Sequence, residues 1–225
     1  MTFSLVARCS QTGMLGVAIA SSSICVASRC PWVRSGVGAS TTQNVTDPSL
    51  GNLMLNYLEE GLNVQEAIDK IIENNKFINY RQLSLIDAKG NSASFTGSKI
   101  LGRHAVSKGV DCIATGNLLS STNVINSMTD NFKKNSNVHF IERLLLALQA
   151  GVDSGGEEGP IHSTGIKVAH ENSWPLVDLR IDWTENNPVA ELIELWNTYK
   201  PQMEDYKSRA TNPDKAPSYG VPGDL

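Results

Sequence analysis

The chain opens Met1-Thr2-Phe3-Ser4-Leu5-Val6-Ala7-Arg8, a methionine and a hydroxyl residue that lead straight into an apolar run. Loss of Met1 would leave Thr2 with a hydroxyl and a free α-amine on one residue. A threonine hydroxyl alone is a poor nucleophile, and the N-terminal amine is an established activator for it. With an ordinary pKa of about 7.7–8.0, that amine can take the hydroxyl proton near neutrality. The β-branch of threonine also restricts χ1, which helps to hold Oγ1 in place. Most chains leave their first residues loose. A strand that starts at residue 3 would instead hold residue 2 at a fixed point.

Acyl transfer from such a nucleophile needs donors aimed at the oxyanion. Asn117, just past a strand and after Gly116, is the first candidate, and the backbone N–H groups of Gly38-Ala39-Ser40 are the second. Ser21 ends the second apolar run. A hairpin closed by Ser10-Gln11-Thr12-Gly13 would bring it back to Thr2. Gln43 could orient substrate or water. Glu158, with Glu157, could meet a cationic substrate group, although a solvated acidic loop is the simpler reading. Ser21 and Gln43 could equally be ordinary strand polars, and Asn117 a turn residue bonding its own backbone.

The totals narrow the chemistry. The 225 residues carry a net charge of −4 with no run of Lys or Arg, which argues against nucleic acid or an anionic membrane surface as partner. No apolar run is long enough for a membrane-spanning helix. The start has no basic region ahead of an apolar block, so a cytoplasmic location is expected. Cys9, Cys25, Cys30 and Cys112 show no CxxC spacing and read as reduced, mostly buried thiols. His104, His139, His162 and His170 are scattered, so no metal site is expected. No phosphate-binding loop, dinucleotide fingerprint or GxSxG elbow occurs, and a cofactor-free protein is the simplest expectation.

The elements that must position these residues follow from periodicity. Alternating apolar runs predict strands at 3–9 and 14–21, with further strands at 24–30, stopped by Pro31, and at 35–43. The small residues of 35–43 imply close backbone approach to a helix or a ligand. Asp47-Pro48 opens a helix that Gly61 ends. Asn63 and Glu66 form a capping pair for a second helix. A hairpin at 80–88 and 91–97 and a strand at 110–115 follow, then helices at 121–133 and at 137–150, the latter stopped by Gly151. Strands at 161–170 and 175–183 and a helix near 187–200 complete the set. Hairpin-linked strands interleaved with helix pairs predict an α+β fold: a four-layer α-β-β-α sandwich of two mostly antiparallel sheets. Residues 1–200 read as one domain. Residues 201–225, with Pro201, Pro213, Pro217 and Pro222, read as a tail that packs on the domain or across a homodimer boundary.

Several stretches together resemble a known family: TFSLVAR at the start, GVAIAS, PWVRSGVGASTTQ, Thr115-Gly116-Asn117-Leu118 and PSYGVPGD near the end. The family is a bacterial group of Ntn-hydrolase-like proteins of unknown function whose members begin Thr-Phe-Ser-Ile-Val-Ala. The resemblance covers nearly the whole chain. It implies the α-β-β-α sandwich, with the first residue of the processed chain at a sheet edge facing a cleft, and hydrolysis of an amide or related acyl bond. It also singles out Arg34, which matches the Arg of a Pro-Trp-x-Arg stretch and would lower the amine's pKa and stabilise negative charge. His162 stands where some members have Arg and would touch substrate.

The resulting expectation is an N-terminal-nucleophile amidohydrolase acting on a small amide or a peptide, with Thr2, Asn117 and Arg34 catalytic and Ser21, Gln43, His162 and Glu158 binding substrate. One alternative is a binding or structural member of the same fold without turnover. Another is a hydrolase that uses Cys25 or Cys9.

Overall fold

A computed structural model describes residues 2–222. Among these residues ten strands form two wholly antiparallel sheets. Strands Thr2–Arg8 (β1), Leu15–Ser21 (β2), Ala105–Gly109 (β7), Cys112–Asn117 (β8), Ser163–Ala169 (β9) and Val177–Ile181 (β10) make the larger, in the order β10-β9-β2-β1-β8-β7. Pro31–Arg34 (β3), Gly38–Asn44 (β4), Arg81–Asp87 (β5) and Ser92–Thr96 (β6) make the smaller, in chain order. The sheets pack face to face, and the helices cover their outer faces. Helices Pro48–Glu59 (α1) and Val64–Asn74 (α2) lie on the smaller sheet. Asn123–Lys134 (α3), Phe140–Asp153 (α4) and Pro188–Tyr199 (α5) lie on the larger, giving the four-layer α-β-β-α order.

The helix starts follow local chemistry. The Asp47 side chain accepts from Ser49 N ahead of Pro48, and Asn63 and Glu66 form a reciprocal capping box. The expected four-residue turn closes β1 onto β2, with Gly13 at φ 75. The close approach implied by the small residues of β4 is to a helix: a Cβ on Gly38 would sit 2.8 Å from a Leu58 methyl and 2.5 Å from the Ile86 carbonyl oxygen.

Three expectations need correction, and one strand, β7, was not foreseen. Residues 24–30 are not a strand: Cys25 takes a left-handed conformation (φ 55), Val26–Ser28 form a 3-10 turn, and Arg29 bonds the Ile24 and Cys25 carbonyls. Pro31 begins β3 rather than stopping a strand, as an edge position allows. β7 carries too weak an alternation to read. Gly151 does not end α4, which runs on to Asp153. A Cβ at Gly151 would meet the Phe3 ring at 3.0 Å, so the glycine lets α4 lie close on β1.

The tail contains a helix, Met203–Thr211 (α6), with Met203 buried in the main core. Tyr206 stacks on Tyr199 and meets Tyr219 edge to face, and the Arg209 guanidinium lies 3.9 Å from the Tyr219 ring centre. Met203, the Tyr206–Tyr199 stack and the Lys207–Glu171 ion pair join the segment to residues 1–200, whereas Tyr219 packs on the segment's own Tyr206 and Arg209. The tail's last three residues, like Met1, lie outside the described residues. Among the described residues no helix is long and apolar enough to cross a membrane.

Candidate functional site

Strand alternation sorts β1 onto two faces. Phe3, Leu5 and Ala7 pack toward α3 and α4, while Thr2, Ser4 and Val6 face the other sheet. Register then brings the site together. Phe3 pairs with Ala20 on one side, so Thr2 falls beside Ser21, and Thr2 pairs with Asn117 on the other. Thr2 Oγ1 and Ser21 Oγ are 3.2 Å apart and can share a proton in either direction, while Ser21 Oγ also accepts from Ser23 N at 3.1 Å. β1 has neighbours on both sides, so Thr2 stands at the end of a central strand and not on a sheet edge. It is only 5% exposed.

A buried polar network supports this end. Ser4 Oγ donates to Gln43 Oε1 (2.8 Å), and Gln43 Nε2 donates to Gln82 Oε1 (2.8 Å). Gln82 Nε2 donates to the Gly116 carbonyl (3.1 Å). The same Gln82 Oε1 takes Asn117 Nδ2 at 3.4 Å, the long end for an N–H···O bond, and Asn117 Oδ1 has no hydrogen-bond partner among the described residues. Gln43, Gln82 and Asn117 are fully buried. Buried polar atoms are nearly always paired. Asn117 is therefore the under-satisfied member of the network, and it is the member opposite Thr2.

Of the two adjacent glutamates of the acidic loop, Glu157 is buried and Glu158 is not. Glu158 is half-exposed, 4.0 Å from Arg103. Glu157 is 5% exposed; its Oε2 accepts from Ser22 N at 3.1 Å and its Oε1 has no hydrogen-bond partner among the described residues. Burial pushes its pKa up to about 7. A bridge to Leu119 fixes the loop over the strand end. Nothing in two adjacent glutamates tells which one turns inward.

The other expected residues divide. Gln43 lies in the network with both amide atoms engaged, Oε1 by Ser4 of β1 and Nε2 by Gln82 of β5. His162 is adjacent in backbone, donating its N–H to the Ser21 carbonyl (2.9 Å). Its ring turns away, bonding Thr184 O and stacking on Trp183 at 4.2 Å. Arg34 does not join Thr2. It pairs with Gly38 at the opposite end of β4 from Gln43, about 17 Å along the strand at 3.4 Å per residue. Its guanidinium binds Glu59, Asn52 and Asn56 of α1. The backbone of Gly38-Ala39-Ser40 lies at that same distant end. Among the described residues no cluster of three or more His, Cys, Asp or Glu could hold a metal, and all four cysteines are free thiols.

No protein of curated function matches the sequence. The crystal structure of protein SPO2555 from Silicibacter pomeroyi, of the family DUF1028, is 32% identical, with a TM-score of 0.82 over 88% of this chain and 89% of that one. Anbu, the ancestral beta-subunit, from Yersinia bercovieri is 13% identical with a TM-score of 0.39 (91% of this chain, 97% of that one). An Anbu (Gly-1) mutant from Hyphomicrobium sp. strain MC1 is 10% identical with a TM-score of 0.44 (98% and 100%). The family model of unknown function, DUF1028, matches residues 2–192, and the chain belongs to that family.

Proposed function

We propose that the protein is an N-terminal-nucleophile hydrolase of a small amide, N-acyl or ureido compound, or of a peptide, in which Thr2 acts once Met1 is removed. The observation that carries this reading is the placement of the Thr2 and Ser21 hydroxyls 3.2 Å apart, opposite an under-satisfied Asn117, inside an otherwise closed sheet interior. Thr2 Oγ1 attacks the acyl carbon while its proton passes to the Thr2 amine. That proton then goes to the leaving nitrogen as the C–N bond breaks. Water attacks the resulting ester, releasing the acid and restoring Thr2. Ser21 orients Oγ1. Asn117 Nδ2 can leave its 3.4 Å contact for the oxyanion at little cost, because Gln82 Oε1 keeps its 2.8 Å bond from Gln43. Glu157, which changes charge near neutrality, is a positioning residue acting through Ser22 and the Ser21 hydroxyl beside it. Arg34 has no part in this scheme.

The test is mass spectrometry of untagged protein made in a bacterial cytoplasm, before and after exposure to a p-nitrophenyl acyl ester. Expected are a mass short by one methionine and then one acyl group on Thr2, absent in Thr2→Ala. A retained Met1, or acylation undiminished in Thr2→Ala, overturns the proposal. The burial of Thr2 favours a second reading, a binding protein of the same fold without turnover. Specific ligand binding by protein that keeps Met1 would select it.

A further inference from the structure

A second feature lies at the other end of β1. A cleft of about 510 Å³, within the size range of small-molecule sites, is lined by Cys9, Met14, Asp111, Lys133, His139 and Arg143, among others. Cys9 is seven residues along the strand direction from Thr2, about 23 Å at 3.3 Å per residue, so this is not the Thr2 site. Arg143 is 9% exposed. Its Nε donates to the Phe132 carbonyl at 2.6 Å in the last turn of α3, and its guanidinium lies 3.7 Å from the Phe132 ring centre. That accounts for one of five N–H donors. The Nη groups make no hydrogen bond and no ion pair among the described residues.

The cleft lining holds one carboxylate, Asp111, and it is already engaged. Asp111 is held by Arg8 at 3.0 Å, and Glu142 in the first turn of α4 is held by Lys200. The Cys112 thiol is pushed up to about 12 by burial and is neutral near pH 7. Lys133 at the rim has no ion-pair partner among the described residues. The N-terminus of the 14-residue α4 also opens here, with His139 as N-cap and no side chain capping it. A helix start without a side-chain cap presents N–H donors and partial positive charge. A guanidinium fork matches the paired oxygens of a carboxylate or phosphate.

We propose that this cleft is a binding site for a small molecule bearing a carboxylate or phosphate group, held by the Arg143 Nη donors and the N-terminal turn of α4 with Lys133 at the rim. The site does not depend on Thr2 chemistry and stands or falls separately from it.

The experiment is isothermal titration of the full chain with succinate and with inorganic phosphate, at constant ionic strength, with chloride and neutral succinamide as controls. At least one oxyanion should bind saturably with a dissociation constant near or below about 1 mM. Which of the two binds more tightly separates a carboxylate site from a phosphate site. Arg143→Lys keeps the charge but loses the fork and should weaken binding about tenfold. Lys133→Ala, on the surface and harmless to folding, should weaken it about threefold. Should Arg143→Lys fail to fold, Lys133→Glu decides alone and should weaken binding more than Lys133→Ala. Succinate and phosphate binding no better than chloride would mean that water alone meets these donors, and the proposal would fail. Binding unchanged in the variants would place the anion elsewhere, with the same consequence.

Discussion

At one end of the layer between the sheets, Val6, Leu15, Val17, Ala39, Ile86 and Ile113 close on one another. At the other end, on the same faces of the same strands, stand Thr2, Ser4, Ser21, Gln43, Gln82 and Asn117. Each strand crosses from apolar to polar within four residues: Val6 to Thr2 on β1, Ala39 to Gln43 on β4, Ile86 to Gln82 on β5, Ile113 to Asn117 on β8. The two ends are equally buried, so exposure does not separate them. What separates them is satisfaction. The apolar end gains by leaving water, whereas the polar end must replace every lost water contact with a protein one. It does so down to Gln82 and then stops short, at Asn117 Oδ1 and at Glu157 Oε1. A fold that needed only stability could have continued the apolar end, and in the function proposed above a ligand completes these unfinished bonds.

The largest effect expected from breaking this contrast is on chemistry. Thr2→Ala should lower turnover of a verified substrate by about 10⁴-fold or more, as removal of a nucleophile does, with little loss of stability. Thr2→Ser should keep measurable turnover. The apolar end should behave in the opposite way. Ile113→Ala, four residues from Asn117 on the same face, should cost about 2–5 kcal/mol of unfolding free energy in denaturant titration and leave acylation of Thr2 intact in the folded fraction. Equal loss of acylation in both variants would mean that the two ends are one structural unit.

The next effect belongs to Glu157 and depends on pH. Its pKa in the folded protein is raised from 4.5 to about 7, so between these values the folded state holds more protons than the unfolded chain. Stability contributed by this group is therefore full below about pH 4.5 and is lost as pH rises through about 7. Relative to Glu157→Gln, the wild-type protein should lose up to about 3 kcal/mol between pH 4.5 and pH 8. Urea titrations of both proteins across that range measure the difference directly. A difference that does not change with pH would mean that the carboxyl is solvated. In the same variant the pH–rate profile should lose a step near pH 7, which a purely structural role would not produce.

The degree to which these features were legible in the sequence follows the same division. The sandwich was legible because the turn at 10–13, the Asp47-Pro48 start and the Asn63–Glu66 box are local signals that tertiary packing did not override. The Thr2–Ser21 approach was legible too, since a four-residue turn sets the hairpin register and register sets the neighbours. Arg34 was misplaced because a family motif carries no register: the residue lies on the far end of the smaller sheet, where Glu59, Asn52 and Asn56 claim it. Gln82 was missed because its partners come from three other strands, each distant in sequence. A polar residue alternating with Leu83 and Leu85 in a strand buried on both faces was the only available signal. Glu157 differs from Glu158 only in strand parity, which a loop of glycines does not reveal.

The smallest effect tests whether the polar end is one network or a set of separate bonds. Gln82→Leu strands Gln43 Nε2 and the Gly116 carbonyl without their side-chain partner. It should cost about 2 kcal/mol, the penalty for leaving buried groups unsatisfied. Gln43→Leu should cost less, because Ser4 Oγ can turn to Thr115 Oγ1, 3.3 Å away. When both glutamines are leucine, the donor and acceptor that faced each other vanish together. The double variant should then be more stable than the sum of the single losses predicts, by about 1 kcal/mol. Simple additivity would show that the bonds act separately, and Asn117 would owe nothing to them. Coupling would mean that Gln43 and Gln82 act as one support. The orientation of Asn117 would then be set at a distance by Ser4, two residues along the strand that presents Thr2.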